Sequence, residues 1–343
     1  MKMLVERRRL LSYALGVFTA LSVSRARAAS EPVRIGQATT TLGFLPVWAA
    51  RTFDSFAEQE LDLSWAAING GDPSTLAALD SGDIDLAATG SDSVLEAAAK
   101  GQPFQIVYSL MSKMSLNMTV SSEFLKRTGA SKEMPIASRI ASLKDATIGV
   151  AAVGGAQDRT VRWLASRGGL DPKKDIKVVQ VGSAAALGAA LANGRIDAFM
   201  LTAPEGQVAE AEGYGQIFIE PDRDIAGIGG MPSLVLVARQ DANEAAQRKI
   251  VKAVRAVNAG SRSLLADLDG GAEKLRSKFF PKVSSAVMRK SVASLADGIK
   301  DNGLMNDQRA ALLIKFVEES GRTPPKDSKF WTNKYVEAAL RSN

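Results

Sequence analysis

Ala184-Ala185-Ala186-Leu187-Gly188-Ala189-Ala190-Leu191-Ala192-Asn193-Gly194-Arg195-Ile196-Asp197-Ala198-Phe199-Met200-Leu201 reads as three events in a row. An alanine-rich helix runs through Asn193, Gly194 closes it, and a short apolar strand follows from Ile196 to Leu201. The same succession stands earlier, where a helix from Ser74 to Asp80 precedes the strand Ile84-Asp85-Leu86-Ala87-Ala88. Outward from these two stretches the alternation continues. Val33 to Gly36, Leu61 to Ile68 and Phe104 to Leu110 read as strands, with helices over Leu42 to Phe56 and Val94 to Lys100. A second round has strands at Ala146 to Ala152, Ile176 to Val181 and Gln216 to Glu220, and a helix from Gly154-Gly155-Ala156-Gln157 through Ser166. Alternating strands and helices imply parallel sheets with right-handed crossovers. Two rounds imply an α/β chain of two doubly wound lobes.

The expected boundaries follow. The first lobe takes residues 29–113 and 228–343, and the second takes 114–227. The chain is expected to pass between lobes along Met114 to Ser121 and Ser233 to Ala238, where Met111, Met114 and Met118 supply hinge and core packing. Asp72-Pro73 reads as an N-cap followed by proline at the first helical position. From Asp241 onward, Gly270-Gly271, Pro281, Gly303 and Pro324-Pro325 separate helices expected to pack back on the first lobe. The helix Asn243 to Asp267 carries Lys249, Lys252, Arg255 and Arg262, read as a solvated basic face.

Composition removes whole classes of chemistry. The 343 residues contain no cysteine and no histidine. Disulfides, thiolate and imidazole metal sites, cysteine nucleophiles and Ser-His-Asp catalysis are therefore excluded. The net charge of +6 is concentrated at the N-terminus. Lys2, Arg7, Arg8, Arg9, Arg25 and Arg27 face only Glu6 there, leaving a near-neutral body without the basic footprint of a nucleic-acid binder. The apolar run Leu10 to Val23 is too short to span a membrane as a helix, and Ala26-Arg27-Ala28 fits a cleavage site. Residues 1–28 thus read as a signal peptide, with Arg7-Arg8-Arg9-Leu10-Leu11 similar to a twin-arginine motif although Ser12 follows. The mature protein is expected to start at Ala29, in the periplasm.

In open α/β sheets, ligands sit beyond the carboxyl ends of the strands, where helix N-termini offer free N–H groups. Four junctions qualify: Thr39-Thr40-Thr41-Leu42-Gly43-Phe44, Ser91-Asp92-Ser93, Gly154-Gly155-Ala156-Gln157 and Thr202-Ala203-Pro204-Glu205. Their hydroxyls and glycines can enclose a ligand and supply no evident base, which points to binding rather than catalysis. Each also has a plainer reading. The Ser, Thr and Asp residues serve as N-caps, the glycines relieve a turn, and Phe44 belongs to the core rather than standing as an exposed contact. No Gly-Lys-Ser/Thr follows Gly154-Gly155, so this is not a phosphate loop. Asp83, Asp85 and Asp197 read as strand-end caps rather than paired catalytic carboxylates.

Ser142-Leu143-Lys144-Asp145-Ala146-Thr147-Ile148-Gly149-Val150, Gly169-Leu170-Asp171-Pro172, Ala190-Leu191-Ala192-Asn193-Gly194-Arg195-Ile196-Asp197-Ala198 and Ala77-Ala78-Leu79-Asp80-Ser81-Gly82-Asp83-Ile84-Asp85 together resemble one family. It is the sulfonate/nitrate/taurine group of periplasmic solute-binding proteins of ABC importers. The resemblance implies a type II periplasmic-binding-protein fold without cofactor, metal or enzymatic activity. It implies a monomer that closes on a small organic anion or zwitterion, of the sulfonate, taurine, nitrate or carboxylate class, and delivers it to permease subunits. It places the ligand at Thr40, Thr41, Leu42, Gly43, Phe44, Ser91, Asp92, Ser93, Gly154, Gly155, Ala156, Thr202, Pro204 and Glu205. A ligand-sensing partner of a membrane receptor is the alternative, followed by a pyrimidine-precursor binding protein or enzyme. The family's aromatic pocket motif reads Asp197-Ala198-Phe199-Met200-Leu201-Thr202-Ala203-Pro204-Glu205 here. Glu205 repels a bare anion if it faces the pocket, and suits a zwitterion's amino group. Arg159, in the first turn of its helix, reads as a surface ion pair or as a contact for a sulfonate.

Overall fold

Val33 and Ile35 point inward and Pro32 and Arg34 outward along β1 (Glu31–Gln37), the period-2 alternation of a strand covered on one face at its start. The computed structural model describes residues 30–326 and 329–341. The signal peptide, its cleavage point and the twin-arginine-like motif lie outside the described residues. The expected single helix over Leu42 to Phe56 is broken into a 3₁₀ turn (Leu42–Phe44), α1 (Leu45–Thr52) and α2 (Ser55–Glu58). The break falls at Asp54, which adopts a left-handed conformation (φ 55°) that ends the first helix. The half-covered edge strand β2 (Leu61–Ala67) and α3 (Gly71–Asp80) follow. Next come the wholly buried β3 (Leu86–Gly90), α4 (Ser91–Ala99) and β4 (Phe104–Met111). Gly101 (φ 79°) stops α4 as its position predicts.

The second round contains β5 (Asn117–Ser121), α5 (Ser122–Thr128), α6 (Ile136–Ala141), β6 (Thr147–Val150) and α7 (Ala156–Arg167). It continues through β7 (Lys177–Gln180), α8 (Ala184–Ala192), β8 (Ala198–Leu201), α9 (Glu205–Glu212), β9 (Gly215–Ile219) and α10 (Pro221–Asp224). The chain then returns through β10 (Leu234–Arg239) to α11 (Glu244–Ala266), α12 (Leu268–Phe279), α13 (Ser285–Leu295), α14 (Asp307–Glu319) and α15 (Lys334–Leu340).

Two five-stranded sheets result, ordered β2-β1-β3-β10-β4 and β7-β6-β8-β5-β9. They are doubly wound as expected, but neither is wholly parallel. The stretches expected to be plain crossings are themselves strands: β10 runs antiparallel to β3 and β4, and β5 antiparallel to β8 and β9. The reason is topological. β4 ends at the carboxyl edge of the first sheet, so the chain enters the second sheet at its facing carboxyl edge and runs down against its neighbours. β9 and β10 repeat the step in reverse. Each sheet therefore presents its carboxyl edge to the other. Met111, Met114 and Met118 are buried at the first passage, in the packing role their sequence suggested.

The C-terminal helices pack on the first lobe and also reach the second. α11 crosses α1 closely enough that a Cβ on Gly260 would collide with the Ala50 backbone. From α14, Phe316 packs its ring 5.2 Å from Trp163 of α7, and Glu319 accepts a hydrogen bond from the Trp163 indole (3.0 Å). The basic residues of α11 are not a solvated face. Lys249 pairs with Asp85 (3.5 Å), Lys252 with Glu31 and Glu60 (3.7 and 3.8 Å), and Arg255 donates to Ala339 O and Gln59 (each 3.3 Å); only Arg262 of the four is exposed. The helix lies against α1, α2, β1 and α15, so its cations meet acids and carbonyls at the ends of these elements and in the turn before β3.

The α1–α11 contact sets up a test. Gly260→Ala gains about 1 kcal/mol of helix propensity. It also forces a methyl group into backbone that cannot rotate away, and overpacking costs typically 1–3 kcal/mol or more. The expected outcome is a net loss of about 2 kcal/mol in urea unfolding; a gain would show that the helices separate freely.

Candidate functional site

The carboxyl edges enclose a cavity of about 30 Å³, room for one or two waters. Thr39, Thr41, Phe44 and Asp72 line it from the first lobe; Gly155, Ala156, Gln157 and Thr202 line it from the second. Thr41 shares a hydrogen bond with Thr39 (3.2 Å), and its carbonyl accepts from the Trp48 indole (2.9 Å). Thr202 Oγ1 lies 3.2 Å from Ser115 Oγ. Phe44, considered as an exposed aromatic, is 1% exposed and borders the cavity from the core. Leu42 and Gly43 are buried behind it, and Leu42 N donates to Ala203 O across the lobes (2.8 Å).

Asp72 does not cap its own helix. α3 begins at Gly71, after Gly70 in a left-handed conformation, and the Asp72 carboxylate turns into the cleft instead. Oδ1 accepts from Thr89 Oγ1 (2.7 Å) and Gly90 N (2.8 Å), and Oδ2 accepts from Ala156 N at the start of α7 (2.7 Å). A carboxylate at a helix N-terminus satisfies an orphan donor and meets the positive end of the dipole. The first lobe thereby caps a helix of the second. The neighbouring amides are engaged as well: Gly154 N donates to Asp158 (2.8 Å) and Gly155 N to Ala152 O (3.2 Å).

Ser91, Asp92 and Ser93 form the first turn of α4, and their polar groups are used within the protein. The Ser91 hydroxyl donates to Pro232 O (2.6 Å). Asp92 and the Ser93 hydroxyl accept from Arg159, which also donates to Gly154 O and lies 3.4 Å from Glu96. Arg322 reaches Asp92 from beyond α14 (3.1 Å). Arg159 is 9% exposed, so it is no surface ion pair: the facing helix starts of α4 and α7 bury it between them. Burial pushes the Asp92 carboxyl up, but the Arg159 and Arg322 guanidinium groups outweigh it and hold the carboxyl below its usual range.

Outside the inner cavity the cleft opens into a groove of about 690 Å³. Thr40, Trp48, Arg51, Trp65 and residues 279–283 line it from the first lobe, while Gly188, Pro204, Glu205, Val208 and Tyr214 line it from the second. The Arg51 guanidinium lies 4.6, 4.0 and 4.3 Å from the ring centres of Trp48, Trp65 and Phe279. Its Nη1 is enclosed without a partner, and burial brings its pKa down to about 10. Glu205 Oε2 is likewise enclosed and unpartnered, and burial pushes that carboxyl up to about 7. Burial, Glu212 and Glu205 raise the Tyr214 phenol. The sequence reading reached Glu205, Pro204 and Thr40 and missed Arg51, the tryptophans and the Phe279-Phe280 pair. One local signal existed: Trp48 and Arg51 stand three apart and share a helix face.

Two α/β lobes joined by two passages, with carboxyl edges facing across a polar cleft, define a two-lobed ligand-binding fold. Residues 26–268 match the model of the NMT1-like family, and the chain belongs to that family. A protein of Bordetella bronchiseptica RB50 superimposes with a TM-score of 0.76 at 25% identity, covering 92% of this chain and 98% of that one. The alkanesulfonate-binding protein SsuA from Xanthomonas axonopodis pv. citri, bound to MOPS, gives 0.66 at 18% identity, covering 91% and 98%. The nitrate-binding protein NrtA from Synechocystis PCC 6803 gives 0.69 at 14% identity, covering 91% and 88%. No curated protein matches the chain in sequence.

The Glu205 environment gives a signed pH dependence. Glu212 and Tyr214 stand beside this carboxyl, with Arg51 and Lys282 also on the groove wall. Its pKa is above the ordinary 4.5, so the folded state binds more protons than the unfolded one between pH 4.5 and about 7, and stability falls as pH rises. Glu205→Gln is expected to exceed the parent by on the order of 2 kcal/mol at pH 8. The gap should close below pH 4.5. Urea unfolding at both pH values checks this; a gap independent of pH contradicts it.

Proposed function

We propose that this protein is the exported solute-binding component of an ABC importer, closing its lobes over a small molecule and presenting the closed form to a permease. The observation that carries the reading is the arrangement of the carboxyl edges. Helix starts and hydroxyls from both lobes converge on one cleft, so a solute held there touches both lobes only when they are closed. Such a ligand shifts the population toward the closed state by its differential affinity. Family membership supports this, as does the likeness to SsuA, NrtA and a ligand-binding component of an ABC-type import system from Staphylococcus aureus. The N-terminal reading supports export, with residues 1–28 as a cleaved leader, periplasmic delivery and the twin-arginine route suggested by Arg7-Arg8-Arg9. The lobes are assigned residues 29–113 with 228–343, and residues 114–227; the protein works as a monomer.

Catalysis is disfavoured by the state of the cleft carboxyls. Asp72 accepts three hydrogen bonds and Asp92 is ion-paired, so neither is free to act as a base in the cleft. The ligand class we favour is an organic anion or zwitterion, not a bare inorganic anion. The α7 start already holds the Asp72 carboxylate, and Glu205 favours a hydrogen-bond donor.

Small-angle scattering and thermal unfolding of residues 29–343 test this with alkyl sulfonates, taurine, aromatic carboxylates and nitrate. One class at 100 times its Kd should add about 2.7 kcal/mol of stability and reduce the radius of gyration. Absence of compaction with every compound at saturation overturns the proposal.

A further inference from the structure

The inner cavity and the outer groove differ in what they can hold. A space of about 30 Å³ takes water, whereas about 690 Å³ lies in the range of small-molecule sites. One charged side chain from each lobe stands on the groove wall, and each has one enclosed polar atom without a partner. Arg51 Nη1 belongs to the first lobe, and its guanidinium is held in place by three rings. Glu205 Oε2 belongs to the second, at the start of α9. An enclosed polar atom without a partner is costly, so each is a standing invitation to a complementary group. Between them the walls are aromatic: Phe280 packs edge-on to Trp48 with centroids 5.1 Å apart, and Tyr214 faces the groove from the other lobe.

Accepting that the protein is a solute receptor, we infer that the outer groove is its specificity subsite for a two-ended amphipathic organic acid. The ligand's anionic head meets Arg51, its ring or apolar body lies along Trp48 and Phe280, and an N–H donor at its far end meets Glu205. The ends of such a ligand belong to different lobes, so it satisfies both groups only when the lobes are closed. Recognition and closure become one event. The aromatic stack removes rotamer freedom from Arg51 before binding, which reduces the ordering cost of the contact.

Gly188 of α8 provides a clean block. It lines the groove, and a Cβ there would have Tyr214 Oη at 3.7 Å and Glu205 Cγ at 4.0 Å, ordinary contact distances. The backbone there accepts a Cβ, and Gly188→Leu carries the rest of its side chain toward the groove; thermal unfolding of the variant verifies that it folds. The probes are 4-(aminomethyl)benzoate, which has all three parts, benzoate and benzylamine, which each lack one end, and taurine, which lacks the body. Tryptophan fluorescence reads the groove through Trp48 and Trp65, and scattering reads closure. 4-(Aminomethyl)benzoate is expected to bind at least tenfold more tightly than the other three. Arg51→Gln should weaken it and benzoate tenfold or more while leaving benzylamine unchanged. Gly188→Leu should abolish binding of every ring-bearing probe and leave taurine unaffected. If taurine binds and compacts the protein while the ring-bearing probes do not, or if Gly188→Leu changes nothing, the groove assignment falls and the receptor reading stands. If no probe binds while an alkyl sulfonate or nitrate compacts the protein, the groove assignment falls and the receptor reading stands; if none of these compounds compacts it either, both fall.

Discussion

The carboxylate of Asp72 at the N-terminus of α7 is the contact on which the relation of the two lobes turns. It joins Thr89 and Gly90 of the first sheet to Ala156 at the start of α7 in the other lobe through three hydrogen bonds at 2.7–2.8 Å. A helix start buried in a cleft needs acceptors for its first amides, and here the acceptor comes from the facing lobe. Beside it, Arg159 of α7 reaches back to Asp92 and Ser93 of α4. The two contacts are reciprocal: an acid of the first lobe caps the second, and a base of the second binds an acid of the first. Burying such a pair is expensive in desolvation, so its contribution is to geometry rather than net stability. It makes one relative placement of the lobes better satisfied than its neighbours.

That placement is permitted by the antiparallel strands β5 and β10. A wholly parallel sheet in each lobe would have sent the chain across from a carboxyl edge to an amino edge, and the cleft would have had one set of helix starts instead of two. Entering each sheet backwards brings both sets together. The passages themselves are tied by small hydroxyls. Ser233 donates to Lys113 O (2.5 Å) and lies 3.3 Å from Ser115, which in turn reaches Thr202. These contacts tie the two passages to each other and to the end of β8. The Trp163–Phe316 stack and the Glu319 contacts of α14 add a third tether, from the C-terminal helices to α7.

Much of this architecture was legible in the sequence because strand–helix alternation is a local signal. The helix stop at Gly101, the strands on either side of α3 and α8, and the buried methionines all follow from spacing and residue type. The errors share a cause. Asp72-Pro73 has the local form of an N-cap, and only the tertiary structure reveals that the carboxylate is drawn across the cleft to a helix more than 80 residues away. Arg159 looks like a surface residue because Asp92 and Arg322 are remote in sequence. The basic stripe of α11 looks solvated because the acids it meets lie in β1 and in the turns before β2 and β3. The groove is the extreme case. Its rings come from positions 48, 65, 214, 279 and 280, and no window of sequence contains them together.

Charge in the cleft then follows from which groups have found partners within the chain. The sequence offered Gly154-Gly155-Ala156 as an anion-binding turn, and the fold places an anion there, but it is the protein's own Asp72. Arg159, the cation nearest that turn, is neutralised by Asp92. Further out, Arg51 is stacked among rings with Nη1 unpartnered and Glu205 has Oε2 enclosed without a donor. Internal pairing has thus moved the unpaired charge from the floor of the cleft to its mouth. A ligand that competed for the floor would have to displace Asp72 and leave a buried carboxylate unmatched. One that engages the mouth encounters no such competitor, and it gains contacts with both lobes in the same step.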